Sequence, residues 1–308
     1  MTAAASASAS PESTFQARIA KSERGGELSL RGRLPVSVSL ALIAPLALLL
    51  GWVFFLPIVT FLLRSITEPS LTTEHYARLL NEPLYVRIMI RTMWISIATT
   101  IIALALGYPI AVLMTRLRGR MAALVTACVL IPLWTSVLVR SYAWIVLLQR
   151  NGIINNWLMD WRVIERPLTL LYTEGAVLMA MSQVLLPFMV LPIYSTLRNI
   201  PPDLTKAALN LGASQTRAFL SVTLPLSLPG VAAGCVMIFV LALGFYITPA
   251  LIGGPRTLMI ATLISQQATE LLNWPFAAAI SSVLLALSLG VTIAFKRILG
   301  VDRMVAHE

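Results

Sequence analysis

The chain has 308 residues, of which 58% are hydrophobic and only 12% are charged, with a mean hydropathy of +0.84. This composition excludes a soluble globular protein and indicates an integral membrane protein. The net charge of +10 also fits a nucleic-acid-binding protein, so the positions of the basic residues must decide between the two classes.

The first 33 residues form a predicted N-terminal tail. It opens with a low-complexity Ala/Ser run, and we expect it to be disordered. The first apolar run begins only after this tail and is 30 residues long, whereas the apolar core of a signal peptide has roughly 7–15 residues. We therefore expect the first run to remain in the protein as a membrane span.

Six intervals without a charged residue mark the predicted spans, because a charge at the bilayer centre costs about 3 kcal/mol. Each interval reaches the roughly 20 residues that a crossing needs, the third only barely. The predicted fold is an all-α membrane protein with six transmembrane helices, and Pro109 and Pro132 are expected to bend the second and third. An uncharged stretch at 257–269 is too short to span, and it predicts an interfacial or re-entrant helix beside the fifth span. The six intervals are 34–63, 92–115, 121–139, 175–197, 218–255 and 271–295.

The basic residues determine the predicted orientation. With the N-terminus in the cytoplasm, 14 of the 23 Lys and Arg residues lie on the cytoplasmic side, as the positive-inside rule requires. The clearest marker is the bend at 115–120, which reads ThrArgLeuArgGlyArg. A transmembrane domain at 34–300 and a cytoplasmic C-terminal tail at 301–308 follow, and the positive charge needs no nucleic acid to explain it.

Catalytic and metal chemistry find no support among the reactive side chains. Cys128 and Cys235 lie in apolar runs and are interpreted as packed small hydrophobes rather than disulfide partners or zinc ligands. His75 and His307 are remote from each other in the sequence and belong to no metal-binding motif. The sequence also contains no Walker A loop and no GxSxG elbow. We predict no enzyme activity, no metal and no cofactor.

The predicted cytoplasmic segment between the fourth and fifth spans has the pattern of two short helices. Asp203 follows tandem prolines and is placed to cap a helix over Leu204–Leu211, which Gly212 ends by permitting a left-handed turn. Ser214 can cap the next helix, which Pro225 is expected to interrupt. On physical grounds alone, a structural helical hairpin explains this pattern as well as a docking element does.

The spacing in this segment resembles the EAA loop of permease subunits of ATP-binding-cassette importers, whose pattern is E-A-A-x3-G-x9-I-x-L-P. The resemblance implies that a short helix of loop 198–225 docks in a cleft of a cytoplasmic ATPase and transmits its nucleotide-driven closure. Lys206 replaces the usual Glu, so an ion pair made by that Glu is not carried over. The docking surface that the resemblance implies, made by Ala207, Ala208 and Gly212, is carried over. The residues assigned to coupling are Asp203, Lys206, Ala207, Ala208, Gly212, Val222, Leu224 and Pro225.

Further motifs resemble the spermidine/putrescine-type branch of these permeases, over roughly residues 35–300 of the chain. The resemblance implies a type I importer fold and one half of a translocation pore. It also implies a cytoplasmic ATPase dimer, a second permease subunit and an external solute-binding protein as partners, and a polyamine as solute. The motifs are LeuGlyTyrPro at 106–109, IleProLeuTrpThr at 131–135, ArgSerTyrAlaTrp at 140–144, AsnGlyIleIleAsn at 151–155 and GlyPheTyrIleThrProAlaLeuIleGlyGlyPro at 244–255.

Candidate pathway residues lie near the predicted outer ends of the third and fifth spans. Arg140 follows Arg120 by about 30 Å of helix, and it either reaches the headgroups or lines the outer mouth of the pathway. The Gly- and Pro-rich end of the fifth span predicts a gate, because irregular backbone at that depth survives only against protein or a water-filled cavity. Glu270 is the nearest carboxylate to this break. It is either part of the pathway or a solvated loop residue. The candidates are Arg140, Tyr142, Trp144, Phe245, Tyr246, Thr248, Pro249, Gly253, Gly254, Gln267 and Glu270.

Three alternatives stay open at this stage. An importer of another small solute, such as an opine, an aminophosphonate or thiamine, shares the branch motifs. An ion-coupled secondary transporter would need ionisable residues near the bilayer midplane, and the six intervals contain no Asp, Glu, Lys or His. A membrane scaffold without a transport role would leave the EAA spacing unexplained.

Overall fold

The computed structural model describes residues 36–68 and 70–298. Every regular element in these residues is helical, so the predicted all-α fold class is confirmed. The predicted tails 1–33 and 301–308 lie outside the described residues, as do the first and last positions of the predicted 34–300 domain. The α-helices are α1 (Val36–Leu50), α2 (Leu56–Thr67), α3 (Glu74–Asn81), α4 (Pro83–Arg116), α5 (Gly119–Trp134), α6 (Val137–Leu148), α7 (Ile153–Asp160), α8 (Glu174–Asn199), α9 (Pro202–Asn210), α10 (Gln215–Ala218), α11 (Leu224–Leu243), α12 (Ile260–Ser265) and α13 (Trp274–Ile298).

The chain divides into two units, and the boundary along the sequence lies between Ile58 and Val59. The first unit contains α1 and the π-helical turn Gly51–Phe55, and neither element has a charged residue. The second unit contains the helices from α3 onward, and both candidate sites lie within it.

Five helical runs are long and apolar enough to cross a membrane, and they correspond to the first, second, fourth, fifth and sixth predicted spans. The second begins earlier than its charge-free interval. α4 has 34 residues and is therefore about 51 Å long, well beyond the roughly 30 Å hydrocarbon core. The early turns of α4 can carry a charged residue because Arg91 Nε forms an ion pair with Glu174 Oε1 of α8, at a distance of 3.1 Å. The five runs are Leu42–Thr67, Pro83–Arg116, Glu174–Asn199, Gln215–Leu243 and Trp274–Phe295.

The third predicted span, over 121–139, is bent near Pro132 as expected, but it does not continue as one helix to residue 139. α5 ends at Trp134, and the following helices turn away from it by 103°. The turn comes just after Pro132, which cannot donate a backbone hydrogen bond, and Ser136 Oγ starts α6 by accepting a bond from Leu138 N at 3.3 Å. α5 and the following helices α6 and α7 form a bent pair. They count as a sixth membrane crossing only if the pair is one span. Pro109, by contrast, lies inside the continuous α4.

The core of the second unit is the mutual packing of α4, α8 and α11. Met189 of α8 is fully buried, and it packs against Gly107 of α4 and Gly234 of α11. Across the same core, Tyr108 Oη and Ser227 Oγ share a hydrogen bond of 2.9 Å. Small residues at these contacts let the helix backbones approach closely, which is the usual basis of helix association in membranes.

The predicted short helix at 257–269 is present as α12, followed by the π-helical turn Gln266–Glu270. It packs chiefly on α13 and α4, and it lies beside the outer end of the predicted fifth span, since Thr262 and Pro249 line one cavity. Ile260 and Leu263 are buried there, and Thr92 Oγ1 of α4 accepts a hydrogen bond from Ile260 N at 2.9 Å. This bond satisfies a backbone donor at the start of α12.

Gly230 tests the close approach of α8 and α11. A Cβ at Gly230 would lie 2.8 Å from the carbonyl oxygen of Pro192, whereas a Cβ at Gly290 of α13 meets nothing within 4 Å. Gly230→Ala should therefore lower stability by about 1–3 kcal/mol through overpacking. Gly290→Ala should be neutral or stabilise by up to about 1 kcal/mol through helix propensity. Thermal unfolding of the purified protein in detergent measures both, and equal shifts for the two variants would contradict this packing.

Candidate functional site

The first helix of the loop between α8 and α11 begins at Pro202, two residues earlier than predicted. Pro201 occupies the N-cap position of α9, so the assignment of Asp203 as the cap is wrong. The reason is Pro202, whose fixed φ and missing N–H suit the first helical position. Asp203 instead lies in the first turn, where its Oδ1 accepts a bond from Lys206 Nζ at 3.0 Å. Both side chains of this pair are exposed.

The turn after α9 matches the prediction for Gly212. Its φ of +85° is left-handed, and Ala213 N donates to Ala208 O at 3.1 Å, closing the end of the helix. Ser214 then caps α10, since its Oγ accepts a bond from Arg217 N at 3.3 Å.

Pro225 does not interrupt the next helix, which corrects the prediction. The helical run is continuous from Gln215 to Leu243. The π-helical turn Phe219–Thr223 leads into α11, with Leu224 N bonded to Phe219 O. The wider π turn shifts the hydrogen-bond register just before the proline, at the first turn of α11, where the missing N–H does little harm. Val222 and Leu224 are half-buried in this stretch.

α9 has two opposite faces, because successive residues turn by about 100° around a helix. The first, named here the apolar face, consists of Leu204, Ala207, Ala208 and Leu211. Leu204 is 45% exposed and Leu211 is 89% exposed. Exposed leucines beside two alanines form a narrow apolar strip suited to a groove on another protein.

The opposite face of α9 lines a cavity of about 510 Å³, named here the basic cavity. It lies between α9, the last turn of α4 and the start of the Gln215–Leu243 run. Lys206, at the position where the resembled pattern has Glu, therefore faces this cavity and not the apolar face. Among residues 36–68 and 70–298, Arg116 and Lys206 are the charged residues that line it. The lining is Val112, Thr115, Arg116, Leu197, Ile200, Pro202, Thr205, Lys206, Leu209, Gln215, Ala218, Phe219 and Thr223.

A second cavity, named here the polar cavity, lies where the helical run ends after Leu243 and has a volume of about 460 Å³. The predicted break is present: a π-helical turn at Pro249–Gly253 and a 3₁₀ turn at Pro255–Thr257 replace regular helix. Four predicted pathway residues line this cavity, and Glu270 is its only charged lining residue in the part of the chain that the structure describes. The lining is Tyr246, Pro249, Ala250, Leu251, Gly254, Pro255, Leu258, Thr262, Ser265, Gln266 and Glu270.

Sequence reasoning missed the hydroxyl-bearing wall of the polar cavity. Thr262 and Ser265 line it beside Gln266 and Glu270. Their spacing of three and four residues is that of one polar helix face. This helical periodicity is the signal in the sequence that indicates the wall.

The remaining predicted pathway residues hold the break in place or lie elsewhere. Thr248 Oγ1 shares a buried hydrogen bond of 3.1 Å with Ser141 Oγ of α6, and Trp144 Nε1 donates to Gln183 Oε1 of α8 at 3.4 Å. Neither contact belongs to the polar cavity. Of the others, Phe245 packs on the main core, Gly253 and Gln267 are buried, and Tyr142 is exposed.

The position of Arg140 also needs correction. Because α5 ends at Trp134, the straight-helix distance from Arg120 does not apply. Arg140 Nη2 donates to Thr135 O at 3.4 Å. Its Nε and Nη1 are enclosed by protein without an acceptor among the residues that the structure describes. Arg140 does not line the polar cavity.

Residues 103–299 match the family described as binding-protein-dependent transport system inner membrane component. The chain belongs to this family, and it is a multi-pass inner-membrane protein of the ABC permease type. The prediction made from the EAA spacing is thereby confirmed at the level of the family.

Two relatives are similar to this chain over longer stretches than the family match. The spermidine/putrescine transport system permease protein PotB of Escherichia coli (strain K12) is 34% identical over 220 residues, covering 71% of this chain and 80% of PotB. The inner membrane ABC transporter permease protein YdcU of the same strain is 34% identical over 245 residues, covering 75% of this chain and 77% of YdcU. The chain is thus homologous to permease subunits of the PotB type.

One solved structure confirms the architecture. A chain in the crystal structure of a bacterial alginate ABC transporter in complex with alginate pentasaccharide-bound periplasmic protein superposes with a TM-score of 0.71. The similarity covers 85% of this chain and 93% of that chain at 17% identity. At this identity the likeness concerns the fold alone, which is that of an ABC importer permease.

Proposed function

We propose that the chain forms one half of the translocation pathway of an ATP-binding-cassette importer for a small polyamine, such as spermidine or putrescine. The observation that carries the proposal is the 34% identity to PotB over 71% of the chain. The polar cavity supports the solute class, because a carboxylate is the one charged group that lines it among the described residues. Arg256 follows the lining residue Pro255 but does not itself line the cavity.

The remaining parts of the importer follow from this proposal. A cytoplasmic ATPase dimer supplies the energy, a second permease subunit completes the pore, and an external solute-binding protein delivers the polyamine. ATP hydrolysis belongs to the ATPase, so this chain acts without catalysis. Both termini and loop 198–225 face the cytoplasm, an orientation supported by the 14 of 23 basic residues that it places there.

Coupling begins, in this proposal, at the apolar face of α9. The ATPase receives Leu204, Ala207, Ala208 and Leu211 in its cleft and moves α9 when it closes. α9 adjoins the helical run Gln215–Leu243, whose 29 residues extend about 44 Å. That run ends beside the polar cavity and packs on α4 and α8. A displacement of the loop therefore reaches the break through one continuous helix.

Solute passage needs weak sites rather than a tight one, because tight binding in the pathway slows release. The Tyr246 ring, 46% exposed, offers a passing ammonium group about 0.5–2 kcal/mol of cation–π attraction. Glu270 is exposed and raises the local concentration of cations. High affinity then resides in the external binding protein.

Gly212 tests the coupling role of the loop. Gly212→Val forces a β-branched residue into a left-handed conformation at a cost of about 1–3 kcal/mol. A Cβ there meets nothing within 4 Å, so the effect comes from the backbone alone. We expect normal membrane insertion and at least a tenfold loss of ATP-dependent spermidine uptake in proteoliposomes, a loss of about 1.4 kcal/mol or more.

The matched control is Gly212→Asn, because Asn tolerates the left-handed region. It should retain most of the uptake and co-purify with the ATPase. Unchanged uptake by Gly212→Val would remove the loop from its coupling role.

The polar cavity yields a separate test of the solute. Glu270→Gln should lower spermidine uptake about 2–5-fold, the effect of an exposed charge worth about 0.5–1 kcal/mol. The loss should be larger at low ionic strength, because salt screens exposed charges. Tyr246→Ala should lower uptake at every salt concentration.

Asp160→Asn is the control, since Asp160 is exposed at the end of α7 and does not line the cavity. It should leave uptake unchanged. If the reconstituted importer carries an anionic or neutral solute and ignores both polyamines, the polyamine assignment fails while the importer assignment stands.

A further inference from the structure

We infer that the basic cavity binds the phosphate of an anionic phospholipid from the cytoplasmic leaflet. The inference goes beyond the proposed function and rests on it only for the cytoplasmic placement of loop 198–225. It assigns a ligand to the face of α9 that is turned away from the apolar face.

The cavity has the size and walls of an amphiphile site. Its volume of about 510 Å³ falls within the usual range of roughly 300–1,000 Å³ for small-molecule pockets. Val112, Leu197 and Phe219 supply apolar wall, while Thr205 and Gln215 supply polar groups. A ligand with a charged end and an apolar body fits this combination better than a fully hydrated ion does.

The charge of the cavity has a single sign. Arg116 and Lys206 line it, and no carboxylate of the described residues does. Asp203 is bonded to Lys206 Nζ but is not part of the lining. Arg116 forms no ion pair within residues 36–68 and 70–298. One guanidinium without a counter-ion and one ammonium that is paired with Asp203 therefore flank the same space, and a phosphate can accept hydrogen bonds from both.

The departure from the EAA pattern explains why the cavity is basic. With the usual Glu at this position, the lining would hold one acid and one base that could neutralise each other. Lys206 makes both lining charges positive, and it does so on the face opposite Leu204 and Leu211. The substitution therefore changes what the cavity attracts while leaving the apolar face unaltered.

The position favours a lipid over free phosphate as the source of the anion. The cavity lies at the ends of α4 and α8, two membrane-spanning helices, with Arg118 and Arg120 next in the chain after α4. Basic pockets between membrane helices on the cytoplasmic side are characteristic sites for anionic headgroups. Free phosphate would leave the apolar walls uncovered.

Photo-cross-linking tests the inference in the complete importer. A benzoylphenylalanine at Thr205, which is half-buried in the lining, is irradiated in nanodiscs of phosphatidylcholine with or without phosphatidylglycerol. We expect an adduct with phosphatidylglycerol and none with phosphatidylcholine. Arg116→Gln should lower the adduct yield about fivefold, which corresponds to about 1 kcal/mol per basic residue at an anionic surface.

Two control variants separate specific binding from general attraction. Arg217→Gln removes an exposed charge from α10 that does not line the cavity, so the yield should be unchanged. Arg116→Lys keeps the charge and should retain part of the yield. Native mass spectrometry of the importer without the cross-linker should show retained phosphatidylglycerol in the wild type and less in Arg116→Gln.

Three results would overturn the inference. Equal adducts with both lipids would show that the headgroup charge is not recognised. An adduct with the ATPase polypeptide would assign the cavity to a protein partner, and it would leave the importer assignment intact. Retention of radiolabelled inorganic phosphate by the wild type in phosphatidylcholine nanodiscs, but not by Arg116→Gln, would assign the cavity to free phosphate.

Discussion

The structure depends on one constraint, which is that an unpaired backbone polar group or charge costs several kcal/mol in hydrocarbon (~3 kcal/mol or more for a charge). The three-helix core of α4, α8 and α11 satisfies it with uninterrupted helices and small residues at their contacts. The break after Leu243 is tolerated because protein groups cover it. Thr248 is bonded to Ser141, and Ile260 N is bonded to Thr92. The irregular backbone can therefore border a cavity without being exposed to lipid.

The same constraint connects the two candidate sites. The run Gln215–Leu243 is apolar enough to span the membrane, and it joins the loop at one end to the polar cavity at the other. The π turn at Phe219–Thr223 keeps this helix continuous despite Pro225. A helix without a break transmits displacement, whereas the irregular stretch beyond Leu243 can change shape. The continuous helix thus lies where an energy-coupled pathway needs to transmit motion, and the irregular stretch lies where such a pathway needs to change shape.

Much of this arrangement could be predicted from the sequence, and the failures have definite physical causes. The cost of burying charge acts locally, so charge-free intervals located five of the spans. They carry no information about direction, so Pro132 predicted a bend in the third span but not a turn of 103° that ends the helix at Trp134. The ion pair of Arg91 with Glu174 is a tertiary contact. Because such a contact is not visible in the sequence, the early start of α4 was not predicted. The faces of α9 follow from helical periodicity alone, but only the fold brings Arg116 and Lys206 to one cavity.

The central claim is that loop 198–225 presents the apolar face of α9 to an ATPase, and cross-linking from that face tests it most directly. A benzoylphenylalanine at Leu211, which is 89% exposed, should cross-link to the ATPase subunit in cells that express the complete importer. The same group at Leu289 of α13, which is 54% exposed on a predicted span, should give lipid adducts only. Lipid adducts alone from Leu211, or an adduct with a protein on the outer side of the membrane, would contradict the account.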